Sequence, residues 1–87
     1  MNSVEYTRHA REKLDILGRH GFAVTLDQVE ETVLHPEKVI AQPGGRFIAQ
    51  RGITEHHVLR VVYRPRGDAR VVITLCPGRR ERYETQL

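Results

Sequence analysis

The sequence predicts an α+β domain in which two N-terminal helices pack on one face of a four-stranded antiparallel meander, in the order ααββββ. Three observations carry this. Apolar residues recur at helical spacing before Pro36 and mostly at alternating spacing after it. The later segments are separated by short stretches rich in Pro and Gly, and connections that short join antiparallel neighbours. Helical and strand segments are segregated along the chain, which is the α+β pattern. The 87 residues suffice for one domain, 1–87, around one modest core.

The first helix is expected over 7–20. Thr7 serves as N-cap, and Ala10, Leu14 and Leu17 form an apolar stripe. Arg19 and His20 sit in the last turn, where the helix dipole favours positive charge, and Gly21 stands where a C′ glycine stops a helix. Thr25 opens the second helix, with Gln28 three residues on completing a capping box. Leu26, Val29 and Val33 make its buried stripe, and His35-Pro36 ends it, because the residue before proline disfavours the α region. Strands follow at 38–42, 46–51, 57–64 and 70–76, with turns at Pro43-Gly44-Gly45, 52–55 and 65–68. Pro77-Gly78 breaks the last strand, and the tail from Arg79 to Leu87 forms a short final turn.

Alternation sorts the sheet's faces. Leu59, Val61, Tyr63, Val71, Ile73 and Leu75 should lie under the helices. Matching them across the last hairpin sets Val61 opposite Ile73 and Arg60 opposite Thr74, with Val58, Val62, Val72 and Cys76 flanking Arg60 on the other face. A half-apolar face with an Arg at its centre is either covered by the tail or used to bind something.

Composition narrows the function. No apolar run approaches the roughly 20 residues of a membrane span, and no signal peptide opens the chain, so a cytoplasmic protein is expected. One Cys excludes an internal disulfide framework and a zinc site built of several cysteines. No cofactor is called for. Twelve of the fourteen basic residues are Arg. Residues 1–45 carry a net charge of −2 and residues 46–87 a net charge of +5. A weakly basic protein can thus present a basic C-terminal half, which reads either as ordinary surface charge or as a polyanion site.

Single residues follow. His9 lies near the start of the first helix, where the dipole disfavours a positive charge, and a neutral imidazole is able to act as a general base. His9 and His20 lie on nearly the same helix face about 16 Å apart, too far to share a metal ion. His56 and His57 are adjacent and point to opposite sides, so no metal site is expected. Cys76 reads as a small semi-buried apolar residue. Arg79, Arg80 and Arg82 with Tyr83 form the densest basic patch. Arg beside Tyr suits phosphate contact and base stacking, although pairing with Glu81 and Glu84 would make it an ordinary charged end.

The segments Tyr6–Arg11, Val29–Ile40, Leu59–Tyr63 and Val71–Leu75 together resemble a family of small bacterial proteins classed as a domain of unknown function, in order and over nearly the whole chain. That family looks like a relative of the RelE, BrnT and MqsR toxin groups within the barnase–EndoU–colicin–RelE nuclease-like fold. The stretch from Ile73 to Glu84 is similar to the end of BrnT-type toxins. The resemblance implies a metal-independent ribonuclease held inactive by an antitoxin encoded beside it, in similar members a small zinc-finger protein. By the family pattern the Thr-x-His-Ala histidine falls on His9 and the strand arginine on Arg60.

Metal-free RNA cleavage needs a base for the ribose 2′-hydroxyl, charge stabilisation at the phosphate and an acid for the leaving oxygen. His9, Arg60 and Tyr83 are the candidate catalytic residues. Arg46, Thr74, Arg79, Arg80 and Arg82 are the candidates for holding RNA phosphates. The alternative is a non-catalytic module that docks RNA or a partner protein through the same face. A homodimer is compatible with either.

Overall fold

Both N-terminal helices begin where a threonine hydroxyl takes up backbone N–H groups that a helix leaves unpaired. The structure is a computed structural model that describes residues 3–83. Helix α1 spans Arg8–Arg19 and α2 spans Leu26–Leu34. Thr7 Oγ1 accepts from Ala10 N at 3.1 Å. At α2 the expected capping box is complete: Gln28 N donates to Thr25 Oγ1 at 3.0 Å and Thr25 N to Gln28 Oε1 at 2.9 Å. Gly21, at φ 81°, closes α1 in a Schellman motif, with Gly21 N donating to Gly18 O and Phe22 N to Leu17 O. Two arginines from the sheet finish α2. Arg70 donates to Val33 O at 2.6 Å and Arg51 to His35 O at 2.7 Å.

Four strands form the expected meander: β2 (Lys38–Gln42), β3 (Arg46–Gly52), β4 (His57–Arg66) and β5 (Ala69–Arg79). The sheet nevertheless has five strands and is mixed, which corrects the purely antiparallel four-stranded prediction. Ser3–Tyr6 forms a strand, here β1, that pairs parallel with β5 from Ser3↔Ala69 to Tyr6↔Val72. The spatial order is β1-β5-β4-β3-β2. Thr7 is the junction: its N–H continues the ladder to Val72 O at 3.0 Å, and its hydroxyl donates to Ile73 O at 3.2 Å while capping α1. Beyond Val72, α1 rather than a strand flanks β5. Pro77 therefore lies where the outer edge of β5 has no described strand partner, a position that tolerates a residue lacking an N–H. This is why β5 runs on through Pro77-Gly78 instead of breaking there.

The hairpin register also departs from strict alternation. The β4–β5 ladder pairs Val62 with Thr74 but Tyr63 with Val72, so Ile73 is an extra residue in a β-bulge. Between Ala69 and Val72 the bulge reverses the predicted parity of β5, and beyond it the predicted faces hold with the register shifted by two residues. Leu75 faces Val61, and Cys76 rather than Thr74 faces Arg60. Val72 joins the core in place of Val71 and Ile73. The core comprises Ala10 of α1, Val29 and Val33 of α2, and Ala49, Leu59, Val61, Tyr63, Val72 and Leu75 of the sheet. Leu26, predicted in the α2 stripe, is exposed, and Thr32 is buried beside Val29 and Val33. Fully burying a Leu or Val is worth about 1.5–3 kcal/mol. The exposed i,i+4 pairs Arg8–Glu12 and Arg19–Asp15 are worth about 0.3–0.5 kcal/mol each. Packing, not surface charge, therefore fixes the helices on this face.

Among the described residues the opposite face carries no long helix. A third helix, α3 (Arg80–Tyr83), replaces the short turn expected in the tail. It covers one end of this face over the row Gly52, Val58 and Gly78, which pair across β3, β4 and β5. A Cβ on Gly52 would strike the Arg80 guanidinium, and one on Gly78 would strike the Tyr83 ring. Two glycines thus let α3 lie close to the strands, and Val58 between them is fully buried. The part of the tail beyond Tyr83, including Glu84, lies outside the described residues.

Candidate functional site

The sheet face that carries α3 holds a hollow of about 260 Å³. Its floor is the row Ile48, Val62 and Thr74, with Arg60 and Cys76 in the next row toward α3. Tyr83 walls it from α3, and Lys13 reaches it from α1. Lys13 comes from α1, which packs against β5 once β1 has ended at Val72, and it is half-buried. The lining holds two cations and no carboxylate, over a floor that is largely apolar.

Arg60 is fixed by stacking. Its guanidinium carbon lies 4.1 Å from the centroid of the Tyr83 ring. Such a cation–π contact at a partly exposed site is worth about 0.5–1 kcal/mol. The ring covers one face of the guanidinium, whereas the N–H donors lie in its plane, so a phosphate can still be gripped at the edge. Tyr83 thereby holds Arg60 rather than presenting a free face for a base. Cys76 is exposed at the hollow, not semi-buried as expected.

Of the residues singled out in the sequence, the hollow brings together Arg60, Thr74 and Tyr83. His9 is exposed on α1 and does not line it. It stands one turn before Lys13, and residues four apart share a helix face. Arg46 is on the same sheet face as Arg60 but two rows away, roughly 13 Å along the strand. Arg80 is committed elsewhere: its Nε donates to Thr54 O at 3.0 Å and its backbone N–H to His56 O at 2.9 Å. Arg79 pairs with Glu81 at 3.7 Å. Arg79 and Arg82 line a second hollow of about 390 Å³ with Phe22, His57, Pro77, Gly78 and Glu81, beyond α3.

Lys13 and Phe22 at these hollows were not singled out from the sequence, and His57 was weighed there only as a metal ligand. A signal for Lys13 was present. It stands three residues after Ala10 and four before Leu17, so it interrupts an apolar stripe. Phe22 and His57 meet only through the tertiary fold, their rings T-shaped with centroids 4.9 Å apart. Outside both hollows, burial and then Glu30 and Asp27 push the Tyr6 phenol up to about 12, and its buried hydroxyl makes no hydrogen bond. Among the described residues no group of three His, Cys, Asp or Glu gathers as metal ligands, and no helix is long and apolar enough to cross a membrane.

No family model matches the chain, and no curated protein matches it. Among solved structures it is similar to the ribonuclease toxin BrnT of Brucella abortus, with a TM-score of 0.62 over 90% of this chain and 97% of that one. The sequences are 18% identical over the match, so the likeness is one of fold. It extends over almost all of both chains.

Proposed function

We propose that this chain is a single-domain endoribonuclease of the toxin type, cutting RNA without a metal ion at the hollow around Arg60. The observation that carries the reading is a hollow with two cations and no carboxylate, set on a BrnT-like fold. In this reading Arg60 and Lys13 hold the scissile phosphate and stabilise charge as it develops there, and the Thr74 hydroxyl donates to a phosphate oxygen. Tyr83 keeps the Arg60 guanidinium in place. His9 takes the proton of the 2′-hydroxyl as its oxygen bonds to the scissile phosphorus, the bond to the 5′-oxygen breaks, and water supplies the proton that the departing oxygen needs, on an RNA that extends from the hollow along α1. Arg79 and Arg82 hold phosphates farther along the chain, with Arg46 at the opposite end of the face. The activity would be restrained by an antitoxin that covers the same cations.

A second reading is favoured by one observation: the lining of the hollow contains neither a histidine nor a carboxylate. With neither a histidine nor a carboxylate at the phosphate to move its protons, the same face would bind RNA or a protein and cut nothing. One experiment separates the two. The wild type, Arg60→Ala and His9→Ala are induced in a growth assay, then purified and mixed with labelled RNA and its all-deoxy analogue. The ribonuclease reading expects cleavage of RNA alone. It expects a loss of roughly a hundredfold or more for Arg60→Ala and about a hundredfold for His9→Ala with little change in thermal stability. A wild type that binds RNA without cutting it establishes the binding module instead. Cleavage undiminished in His9→Ala removes His9 from the mechanism.

A further inference from the structure

The larger hollow, on the far side of α3, has features that phosphate contact alone does not explain. Phe22 follows the Schellman glycine, so its backbone is pinned by the bond from its N–H to Leu17 O at 2.9 Å. It is only partly buried, lies outside the core cluster, and presents its ring to His57. His57 is oriented in turn. Its Nδ1 lies 3.1 Å from Thr54 Oγ1, which also accepts from His56 N at 3.2 Å. This leaves Nε2 as the ring nitrogen free to meet a ligand. Arg79 and Arg82 line the same hollow, with Glu81 as the one carboxylate. The Arg79–Glu81 pair is exposed, 75% and 76% for the two side chains, and pairs of that kind are worth little, so an entering phosphate can replace it. At about 390 Å³ the space falls within the range of small-ligand sites.

We propose that this hollow is a nucleotide-binding subsite, in which the Phe22 ring stacks on a base, His57 Nε2 hydrogen-bonds to it, and Arg79 and Arg82 hold the attached phosphate. An aromatic ring offers sequence-tolerant stacking worth about 1–3 kcal/mol per base. The subsite deepens the ribonuclease reading, because it would hold the substrate RNA away from the scissile bond. From Thr74 to Arg79 is five residues of β5, roughly 17 Å. Cys76 faces Arg60 whereas Arg79 faces His57, an odd number of residues away, so the two hollows open toward opposite faces of the sheet, and α3 lies between them.

The test uses the full chain and NMR at low salt, following the Phe22 and His57 ring signals and the arginine side chains. Adenosine 5′-monophosphate, adenosine and inorganic phosphate are titrated separately. The expected result is that the nucleotide moves the Phe22, His57 and Arg82 signals together and binds at least fivefold more tightly than phosphate. Phe22→Ala and Arg82→Gln should each weaken it at least fivefold while Arg64→Ala, at an exposed arginine outside both hollows, leaves it unchanged, all three proteins keeping wild-type backbone spectra elsewhere. Phosphate binding as tightly as the nucleotide overturns the base contact and with it the subsite. Shifts confined to Arg60 and Thr74, or no binding of the nucleotide, also overturn it. RNA cleavage is measured on the same samples. Cleavage without nucleotide binding at Phe22 sinks the subsite and leaves the ribonuclease reading. Nucleotide binding at Phe22 without cleavage supports the subsite and sinks that reading.

Discussion

The arginines of the C-terminal half do several different jobs. Arg51 and Arg70 cap the end of α2, Arg66 pairs with Glu5 across β5, and Arg80 secures the β3–β4 turn. These four build the molecule and explain much of the charge bias. Arg60, Arg79 and Arg82 are the ones that face the two hollows described above. At the same scale, Tyr6 is the one described residue whose buried side-chain polar atom makes no hydrogen bond. Removing such a hydroxyl costs little or stabilises. Tyr6→Phe should therefore melt at the wild-type temperature or slightly above it at pH 7. Because the folded phenol titrates near 12 and an unfolded one near 10, the unfolded chain loses this proton first, and stability should fall between about pH 10 and 12. Denaturant melts across that range should show a shallower fall for Tyr6→Phe. An equally steep fall would place the Tyr6 hydroxyl in contact with solvent.

At the scale of elements, α3 depends on the glycines beneath it. Gly78→Ala should lift the Tyr83 ring off the strand and with it the stacking on Arg60, exposing Val58. The expected outcome is a loss of about 1–2 kcal/mol in denaturant unfolding and faster amide exchange confined to α3 and the Val58 region. Unchanged exchange in α3 would mean that the ring is not seated on Gly78. Much of this scale was legible in the sequence: both threonine caps, the Gly21 stop and the meander, because each rests on local chemistry. Three features were not. Ser3–Tyr6 is too short to show a pattern and pairs with residues far along the chain. The bulge is hidden because Val71, Val72 and Ile73 are apolar at both parities. Pro77-Gly78 carries a breaker signal that the open edge of β5 overrides. The site suffered accordingly. Arg60, Thr74 and Tyr83 emerge from alternation and composition, whereas Lys13, Phe22 and His57 come into place only through α1 and the loop that follows it.

For the whole molecule, the cations facing the hollows are Lys13, Arg60, Arg79 and Arg82. If all four contact phosphates of one single strand, the logarithm of the RNA affinity should fall with the logarithm of salt at a slope of about −3. Arg60→Ala should reduce that slope by about 0.7, read from fluorescence titrations over a salt series. A slope near zero would mean that neither hollow takes phosphates. The hollow around Arg60 holds two cations although the whole chain carries a net charge of only +3, because α1 brings Lys13 from the acidic half to the sheet of the basic half.

The parallel pairing of β1 with β5 has a kinetic meaning. The meander from β2 to β5 is made of neighbours joined by short turns, and such contacts close quickly. Joining Ser3 to Ala69 instead closes a loop of 66 residues, whose entropy must be lost before any contact compensates it. β1 is therefore expected to dock late, and Thr7 with it. Until it does, the outer edge of β5 is an open row of N–H and C=O groups, able to pair with another chain. The step that seals that edge also places the start of α1, and so Lys13, beside the hollow. The last contacts to form are then the ones that complete the cationic face, and partly folded chains would be sticky before they were competent to bind.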